Sequence, residues 1–229
     1  PVHQPLGGGR VLHLLADAHL VALGDEPGDV GVGKDLYLYL DGISDLSGLS
    51  SMGQLKSLVL TGNTDITDLS PLSGLTNLRT LEVPAGGENV GIDLTPLSGL
   101  TKLRTLRTGS NVTDLSPLSG LTELRELDLT YGGYSASDSQ EYDSLAPLAS
   151  LTNLTSLTIR NSKISDLTPL SGLTKLRAMT IHNGTAIQDL SPLAGLPELK
   201  SLTIRGARHE LDTSALTQVS SISIESRES

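Results

Sequence analysis

The sequence predicts an α/β solenoid, in which the chain makes one coil per repeat and stacks its strands into a parallel sheet. One reason is a nine-residue phrase, Asp-Leu-Ser-Pro-Leu-Ser-Gly-Leu-Thr, which begins at Asp68, begins again at Asp114 and recurs in close variants. The other is the composition, because the 229 residues include no Trp, no Phe and only five Tyr. An ordinary core of this size uses aromatic side chains for bulk, so an aliphatic core favours stacked, near-identical layers.

Most phrases are followed by Leu-x-x-Leu-x-Leu or a close relative, and this pattern sets the length of the repeat. Its fourth position recurs at intervals of 20 to 30 residues, at Leu38, Leu58, Leu81, Leu106, Leu127, Leu157, Met179, Leu202 and Ile222. All but the longest interval fall within the roughly 20–29 residues that are typical of leucine-rich repeats. We therefore expect about nine coils over residues 35–229, with residues 1–34 forming an N-terminal cap or a degenerate first repeat.

The parts of each coil follow from local chemistry. In Leu58-Val59-Leu60, alternation points the two Leu side chains into the core and Val59 outward, as in a short strand. A turn with Asn or Gly comes next, as at Asn183-Gly184, where an Asn side chain would satisfy backbone groups that the bend leaves unpaired. A Ser-Pro or Thr-Pro pair then predicts a short 3₁₀ or α turn. We expect the Ser or Thr to be its N-cap, Pro its first residue and a Gly such as Gly74 its end.

An Asp precedes this turn in most coils, at Asp45, Asp68, Asp93, Asp114, Asp166, Asp189 and Asp212. One interpretation is a calcium ladder like those of other parallel β solenoids. Those ladders use a Gly-rich nonapeptide with closely spaced Asp residues. A single carboxylate per coil, placed just before a turn, instead favours capping of the turn N–H groups without a metal.

The repeat unit resembles the internalin-type leucine-rich repeats of bacterial surface proteins. It is also similar to the arrays that end bacterial NACHT and other NLR-like defence proteins, in which phrases such as Leu190-Ser-Pro-Leu-Ala-Gly-Leu are common. The resemblance covers about residues 38–224. It implies a curved, right-handed solenoid with the sheet on its concave face. It also implies recognition of ligands, often proteins, through that sheet and the nearby loops, and it supplies no catalytic residue.

Composition narrows the range of partners. The net charge of −10 argues against nucleic acid, because phosphate binding needs a basic face. No apolar run approaches the roughly 18 residues of a membrane span, and the absence of Cys excludes disulfides and thiolate sites. Residues 28–34 have the spacing of a phosphate-binding loop, but Asp35 and an alternating strand follow, so we interpret them as an ordinary loop. We expect no cofactor and no metal, because the His residues are scattered.

Two candidate binding surfaces stand out. The longest interval carries an insertion within residues 131–143 that holds Tyr131, Tyr134 and Tyr142, three of the five Tyr residues. Tyr is enriched at recognition surfaces, and insertions in repeat arrays often map to the binding face, although a tolerated surface excursion is the alternative. The second surface is the outward side of the strands, whose polar character suits a protein or peptide ligand. Its candidate residues are Tyr39, Glu82, Arg107, Asp128, Arg160, His182 and Arg205.

Together these features predict a non-enzymatic protein-recognition module, namely the C-terminal ligand-sensing domain of a bacterial NLR-like defence protein. The alternative is the recognition domain of an extracellular, internalin-like adhesin. A third interpretation, a carbohydrate-active or metal-dependent enzyme, would need clustered carboxylates or His residues. Because the chain begins at Pro1, we expect it to be part of a longer protein, and we favour the bacterial cytoplasm over the cell surface as its location.

Overall fold

The computed structural model describes residues 45–60, 66–83, 92–109, 112–130, 142–160 and 163–226 in full, and only the backbone of residues 10–14, 36–41 and 61. The segment 28–34, interpreted above as an ordinary loop, lies outside the described residues. The boundary between an N-terminal cap and the array at residue 35 stays a prediction, because most of residues 1–34 also lie outside them.

The described strands form one ten-stranded sheet whose order follows the chain. Every adjacent pair is parallel, as expected where each strand is joined to the next by one coil. The strands are β1 (Arg10–Leu14), β2 (Leu36–Asp41), β3 (Leu55–Thr61), β4 (Thr80–Val83), β5 (Thr105–Thr108), β6 (Glu126–Asp128), β7 (Ser156–Arg160), β8 (Ala178–His182), β9 (Ser201–Ala207) and β10 (Ser221–Ser226). The chain is therefore the solenoid that the sequence predicts.

Aliphatic layers fill the interior behind the sheet. The fourth positions of the Leu pattern pair in register from strand to strand, from Leu58 opposite Leu81 to Leu202 opposite Ile222. Leu58, Leu81 and Leu202 are fully buried, whereas Ile222 in the last described strand is 37% exposed. Each layer thus covers the one before it, and the stability of the array is collective.

The return legs are short 3₁₀ turns of three residues. They span Ser47–Leu49, Ser70–Leu72, Thr95–Leu97, Ser116–Leu118, Ala146–Leu148, Thr168–Leu170 and Ser191–Leu193. The predicted N-cap is wrong by one position, because Ser70 is the first residue of its turn, Pro71 the second and Leu69 the capping residue. Gly74 stands directly after the C-cap residue Ser73, as predicted, but without the positive φ that is common there. The turn ends at Leu72, and the Ser73 hydroxyl donates to the Ser70 carbonyl at 2.8 Å.

The Asp residues before these turns cap them from the position that directly precedes the N-cap residue. In the best-bonded example, both the N–H and the hydroxyl of Ser191 donate to Asp189, each at 2.8 Å. These two bonds, the N–H first, hold the pKa of Asp189 below its ordinary value of 3.8. Hydrogen bonds from the residue two positions later also lower the pKa of the other capping Asp residues. The side chain of that residue is the larger cause at Asp68, Asp93, Asp114 and Asp166, and its N–H is the larger cause at Asp45 and Asp212. Capping, rather than a calcium ladder, is therefore the role that the hydrogen bonds support.

This capping makes the array sensitive to acid. A carboxylate with a lowered native pKa contributes stability above its unfolded pKa, and that stability is lost as the pH falls through the native value. An Asn still accepts the turn N–H but does not titrate. We therefore expect a variant with Asp93, Asp114 and Asp189 replaced by Asn to lose less stability than the parent between about pH 5 and pH 3.

Urea unfolding followed by circular dichroism at several pH values measures this effect. The matched control replaces Glu123, Asp143 and Glu198 with the corresponding amides. This removes three negative charges and their exposed ion pairs, which contribute little stability, without touching a capping bond. If the Asn variant and the parent have parallel pH profiles, the Asp residues do not stabilise the turns through their charge.

The insertion between β6 and β7 leaves the stacking of the coils unbroken. Leu127 and Leu157 are in register although 30 positions separate them in sequence. Three side chains of the later coil also reach back to carbonyls of the earlier one: Ser150 to Ser119 at 2.6 Å, Asn153 to Thr122 at 2.9 Å and Thr155 to Arg125 at 2.9 Å. The described coils on the two sides of the insertion therefore stack as direct neighbours.

Candidate ligand-binding surface

The outward side chains of the strands line up in rows across the concave face. In the central row, Glu82, Arg107 and Asp128 lie in register on β4, β5 and β6. Thr158, Thr180 and Thr203 continue this row on β7, β8 and β9, and we call them the threonine row. All of these side chains are half-buried. Val59 pairs in register with Glu82 in this row, but it is only 8% exposed.

On β4 to β6, the outward side chains form ion pairs with one another. Arg107 Nη2 lies 2.6 Å from Glu126 Oε1, and Arg107 Nη1 lies 3.4 Å from Glu82 Oε1. The bond to Glu126, followed by the negative charge of Glu82, raises the pKa of Arg107. Asp128 is engaged as well, since it accepts bonds from the N–H and the hydroxyl of Thr130 at 2.8 and 2.7 Å. The structure thus brings together three predicted site residues, Glu82, Arg107 and Asp128, but they bind one another or a neighbour.

The threonine row presents hydroxyls that are not used internally. Within the described part of the chain, the hydroxyls of Thr158, Thr180 and Thr203 make no hydrogen bond to another residue. Neighbouring strands of a sheet are about 4.8 Å apart, so the row offers one donor and acceptor at that spacing. Because these Thr side chains are only half-buried, their hydroxyls are open to water or to a ligand.

A second row runs along the strand ends beside the threonine row. It consists of Arg160, His182 and Arg205, which we call the Arg–His row. Arg160 pairs in register with His182, and Arg205 pairs with Glu225 of β10. Arg205 Nε lies 3.3 Å from a Glu225 carboxylate oxygen, and both side chains are about half exposed. Such an exposed ion pair contributes little stability, so Arg205 can exchange Glu225 for another carboxylate.

His182 is the titratable member of this row. Burial, followed by the positive charges of Arg205 and Arg160, lowers its pKa below the ordinary value of 6.5, while Asp128 and Glu225 act in the opposite direction. The imidazole is therefore mainly neutral at pH 7, and the two Arg residues carry the positive charge of the row.

The structure corrects one of the predicted contact residues. Tyr142 is only 3% exposed and lies in the aliphatic core, with its hydroxyl 3.5 Å from the Arg160 carbonyl. Its role is therefore to fill the core rather than to contact a ligand. The other three Tyr candidates, namely Tyr131, Tyr134 and the Tyr39 side chain, lie outside the described residues, and their contact role stays a prediction.

The spacing of the repeat does predict the burial of Tyr142. Tyr142 stands three residues before Leu145, as Ile66 stands before Leu69 and Ile164 before Leu167, and all of these residues are buried. In the same coil Ser144 replaces the capping Asp, and its hydroxyl oxygen accepts the Ala146 N–H at 3.0 Å. Aligning this position as well as the Leu pattern would have placed Tyr142 in the core.

The remaining chemistry of the described residues is sparse. No three of their His, Asp or Glu side chains are grouped as ligands for a metal ion. Across the same residues, no helix has both the length and the apolar character needed to cross a lipid bilayer.

Comparisons with known proteins agree with this architecture. Residues 92–207, just over half of the chain, match the family model of the R13L1/DRL21 leucine-rich repeats. Among solved structures, internalin C2 from Listeria monocytogenes is 32% identical with a TM-score of 0.66, covering 77% of this chain and 74% of its own. Internalin F from the same organism is 34% identical with a TM-score of 0.61, and the match covers 84% of this chain and 61% of the internalin F chain. Curated protein sequences give no match.

The match to the family model spans strands β5 to β9 and the core layers behind them. Repeat proteins of this architecture have extended concave surfaces, and the fold supports a protein-interaction module. The chain belongs to the leucine-rich-repeat family, and within it resembles the bacterial internalins.

Proposed function

We propose that the chain is a non-enzymatic protein-recognition module that holds a protein or peptide on the concave face of β7, β8 and β9. The observation that carries the proposal is the contrast between the two halves of this face. Glu82 and Glu126 both bind the Arg107 guanidinium through its Nη atoms, whereas the hydroxyls of the threonine row have no partner in the described part of the chain. A polar surface of this kind suits a hydrogen-bonded protein ligand.

The Tyr-rich insertion supports the same half of the face. It begins directly after Thr130, two residues beyond the end of β6, and β6 is paired with β7. We propose that Tyr131 and Tyr134 contribute contacts at the border of this surface, because a Tyr side chain supplies contact area at little cost in conformational entropy. The side chain of Tyr39 and the residues Glu82, Arg107 and Asp128 would then contact only a ligand long enough to reach the N-terminal half.

Two biological settings fit such a module. We favour the ligand-sensing end of a bacterial NLR-like defence protein acting in the cytoplasm, because the phrase that begins at Leu190 resembles the arrays of those proteins. The similarity to internalins C2 and F favours the second setting, an extracellular adhesin. The sequence that adjoins this chain in its gene distinguishes the two settings. A nucleotide-binding module is expected in the first case, and a signal peptide with a wall anchor in the second.

Site-specific photo-crosslinking tests the location of the binding surface. A benzophenone amino acid replaces Thr180 in one variant and Thr174 in a control variant. Thr174 is an exposed Thr on the return leg of the same coil. After irradiation in an extract of the source cells, we expect a discrete protein adduct at position 180 that excess unlabelled chain abolishes, and no such adduct at position 174. Circular dichroism confirms that both variants are folded.

Two results would contradict this location. One is the formation of the same adducts at positions 180 and 174, which would indicate that proteins contact the chain without a preferred face. The other is a competed adduct at position 174 alone, which would move the binding surface to the return legs. Catalytic activity in a hydrolase screen, together with a bound metal in elemental analysis, would instead favour the enzyme interpretation.

A further inference from the structure

The return legs of the coils carry opposite charges at their two ends. The capping Asp residues stand at the start of these legs, whereas basic residues stand at the end, directly before the strands begin. We call these basic residues the basic edge, and they are Arg79, Arg104, Arg125, Arg177 and Lys200. All of them are exposed except Arg104, which is half-buried. In a chain with a net charge of −10, this edge concentrates cations along one side of the sheet.

Backbone hydrogen bonds hold the basic edge in one line across the coils. The Arg104 N–H donates to the Arg79 carbonyl at 2.7 Å, and the Arg125 N–H donates to the Arg104 carbonyl at 2.8 Å. The same ladder continues through the next three coils at Thr155, Arg177 and Lys200. Because neighbouring strands lie about 4.8 Å apart, the line from Arg79 to Lys200 is roughly 24 Å long.

Carboxylates balance only part of this positive charge. Between three residues before and one residue after each position of the line, the described coils from β4 to β9 hold three carboxylates, namely Glu123, Glu126 and Glu198. Glu123 Oε2 lies 3.7 Å from Arg104 Nη2, and Glu198 Oε2 lies 3.8 Å from Arg177 Nε. Glu126 binds Arg107 instead. Arg79, Arg125 and Lys200 therefore have no carboxylate partner among the described residues.

Two further lysines add to the charge of the line. Lys102 and Lys175 stand two residues before Arg104 and Arg177, and both are exposed. Their ammonium groups donate to neutral amide oxygens, at 2.7 Å to Asn77 and at 2.6 Å to Asn153. Lys200 likewise reaches only carbonyl oxygens, at 3.3 Å. These bonds orient the ammonium groups without neutralising them, so seven cations face two carboxylates along this edge.

The shape and the chemistry of the edge favour an acidic polypeptide segment as its ligand. Arg and Lys bind carboxylates through charge-assisted hydrogen bonds. An extended polypeptide rises about 3.3 Å per residue, so about seven residues cover the line. Single-stranded nucleic acids are usually held by aromatic side chains on which bases stack, and no residue of the line is aromatic.

From these observations we propose that the basic edge is a second contact surface, which binds an extended, Asp- and Glu-rich segment of a partner protein. The edge lies at the N-terminal ends of β4 to β9. A partner on the concave face can therefore extend an acidic segment along it. The proposal goes beyond the proposed function, because it depends on the charges of the return legs and not on the hydroxyls of the threonine row.

Three labelled twelve-unit ligands provide the test: a peptide of alternating Ala and Glu, a peptide of alternating Ala and Gln, and an oligothymidylate. Fluorescence anisotropy with the full chain measures their affinities. We expect the Glu peptide to bind with a dissociation constant below about 1 mM and at least about tenfold more tightly than the Gln peptide. Raising the salt concentration from about 50 mM to about 500 mM is expected to weaken only the Glu complex, because exposed charges are screened.

Matched double variants locate the contact. Replacing Arg79 and Arg125 with Gln is expected to weaken binding of the Glu peptide about tenfold, and replacing both with Lys is expected to keep the affinity within about threefold. The control replaces Lys163 and Arg208 with Gln. These exposed cations follow β7 and β9, at the opposite ends of the strands, so their loss is expected to change the affinity less than about twofold.

Four results would overturn the proposal. They are equal affinities for the Glu and Gln peptides, no binding of the Glu peptide below about 1 mM, tighter binding of the oligothymidylate than of the Glu peptide, and equal weakening by the two Gln double variants. Each is distinguishable from failure of the proposed function, because the photo-crosslinking contrast between positions 180 and 174 does not involve the basic edge.

Discussion

Replacing Leu157 with Ala is expected to lower the free energy of unfolding by about 2–5 kcal/mol. Leu157 is fully buried in the central layer on β7, with Leu127 on one side and Met179 on the other. The truncated side chain leaves a cavity between two coils that are held in register from both sides, so the surroundings relax only in part. Urea or thermal unfolding followed by circular dichroism measures the loss.

The matched control for this variant is at the same position of the Leu pattern in β10, the last strand of the sheet. Ile222→Ala also removes aliphatic bulk from an inward position, but Ile222 is 37% exposed. We expect its cost to be less than about half of that at Leu157, because less area leaves the core and the cavity opens to solvent. Equal costs at the two positions would contradict the stacking of the layers, since the end layer would then be packed as tightly as the central one.

Replacing Gly184 with Ala is expected to destabilise the chain by about 1–3 kcal/mol, through overpacking. A Cβ atom at this position would lie 3.0 Å from Ile204 Cγ2 and 3.2 Å from Ile187 Cδ1. The Gly184 N–H also donates to the Arg205 carbonyl at 2.9 Å, so the backbone cannot move away without losing a bond to the next coil. The need for glycine here is steric, since φ is positive at Asn183 but not at Gly184.

Gly172→Ala is the control, because a Cβ atom there would meet nothing within 4 Å. This substitution is expected to be neutral or to stabilise by up to about 1 kcal/mol, since it restricts the unfolded chain without creating a clash. The same unfolding experiment serves both variants. Two variants with equal stability would show that the Ile cluster around Gly184 can expand, which would contradict the tight packing of this turn.

The turn at Asn183 and Gly184 shows where local pattern reasoning was incomplete. An Asn-Gly pair predicts a bend, and the bend is present. We expected the buried Asn183 side chain to satisfy backbone groups of the bend. The left-handed backbone of Asn183, with φ of 58°, was not predicted. The packing of Gly184 against Ile187 and Ile204 joins residues from two coils, and that contact follows only from how the coils stack.

Tyr142 and the ion pairs of Arg107 show that local patterns also fail to predict which outward-facing or loop residues are available at the surface. Tyr142 occurs in a polar, Tyr-rich insertion, and its composition favoured a surface role, yet the register of its coil places it in the core. Arg107 and Glu126 are both outward-facing by alternation, but their 2.6 Å contact depends on the lateral pairing of β5 with β6. A repeat spacing alone does not say which outward side chains satisfy one another and which are left for a ligand.

The sequence by itself determined the period of the coil, the inward aliphatic positions, the parallel sheet and the capping Asp residues. These features are local or strictly periodic, so side-chain alternation and turn chemistry within one repeat are enough to specify them. Only the tertiary structure decided the low exposure of Val59, the ion pairs around Arg107 and the unused hydroxyls of the threonine row. Those outcomes depend on contacts between neighbouring coils, because a side chain's partners there are set by register and packing rather than by its own neighbours in the chain.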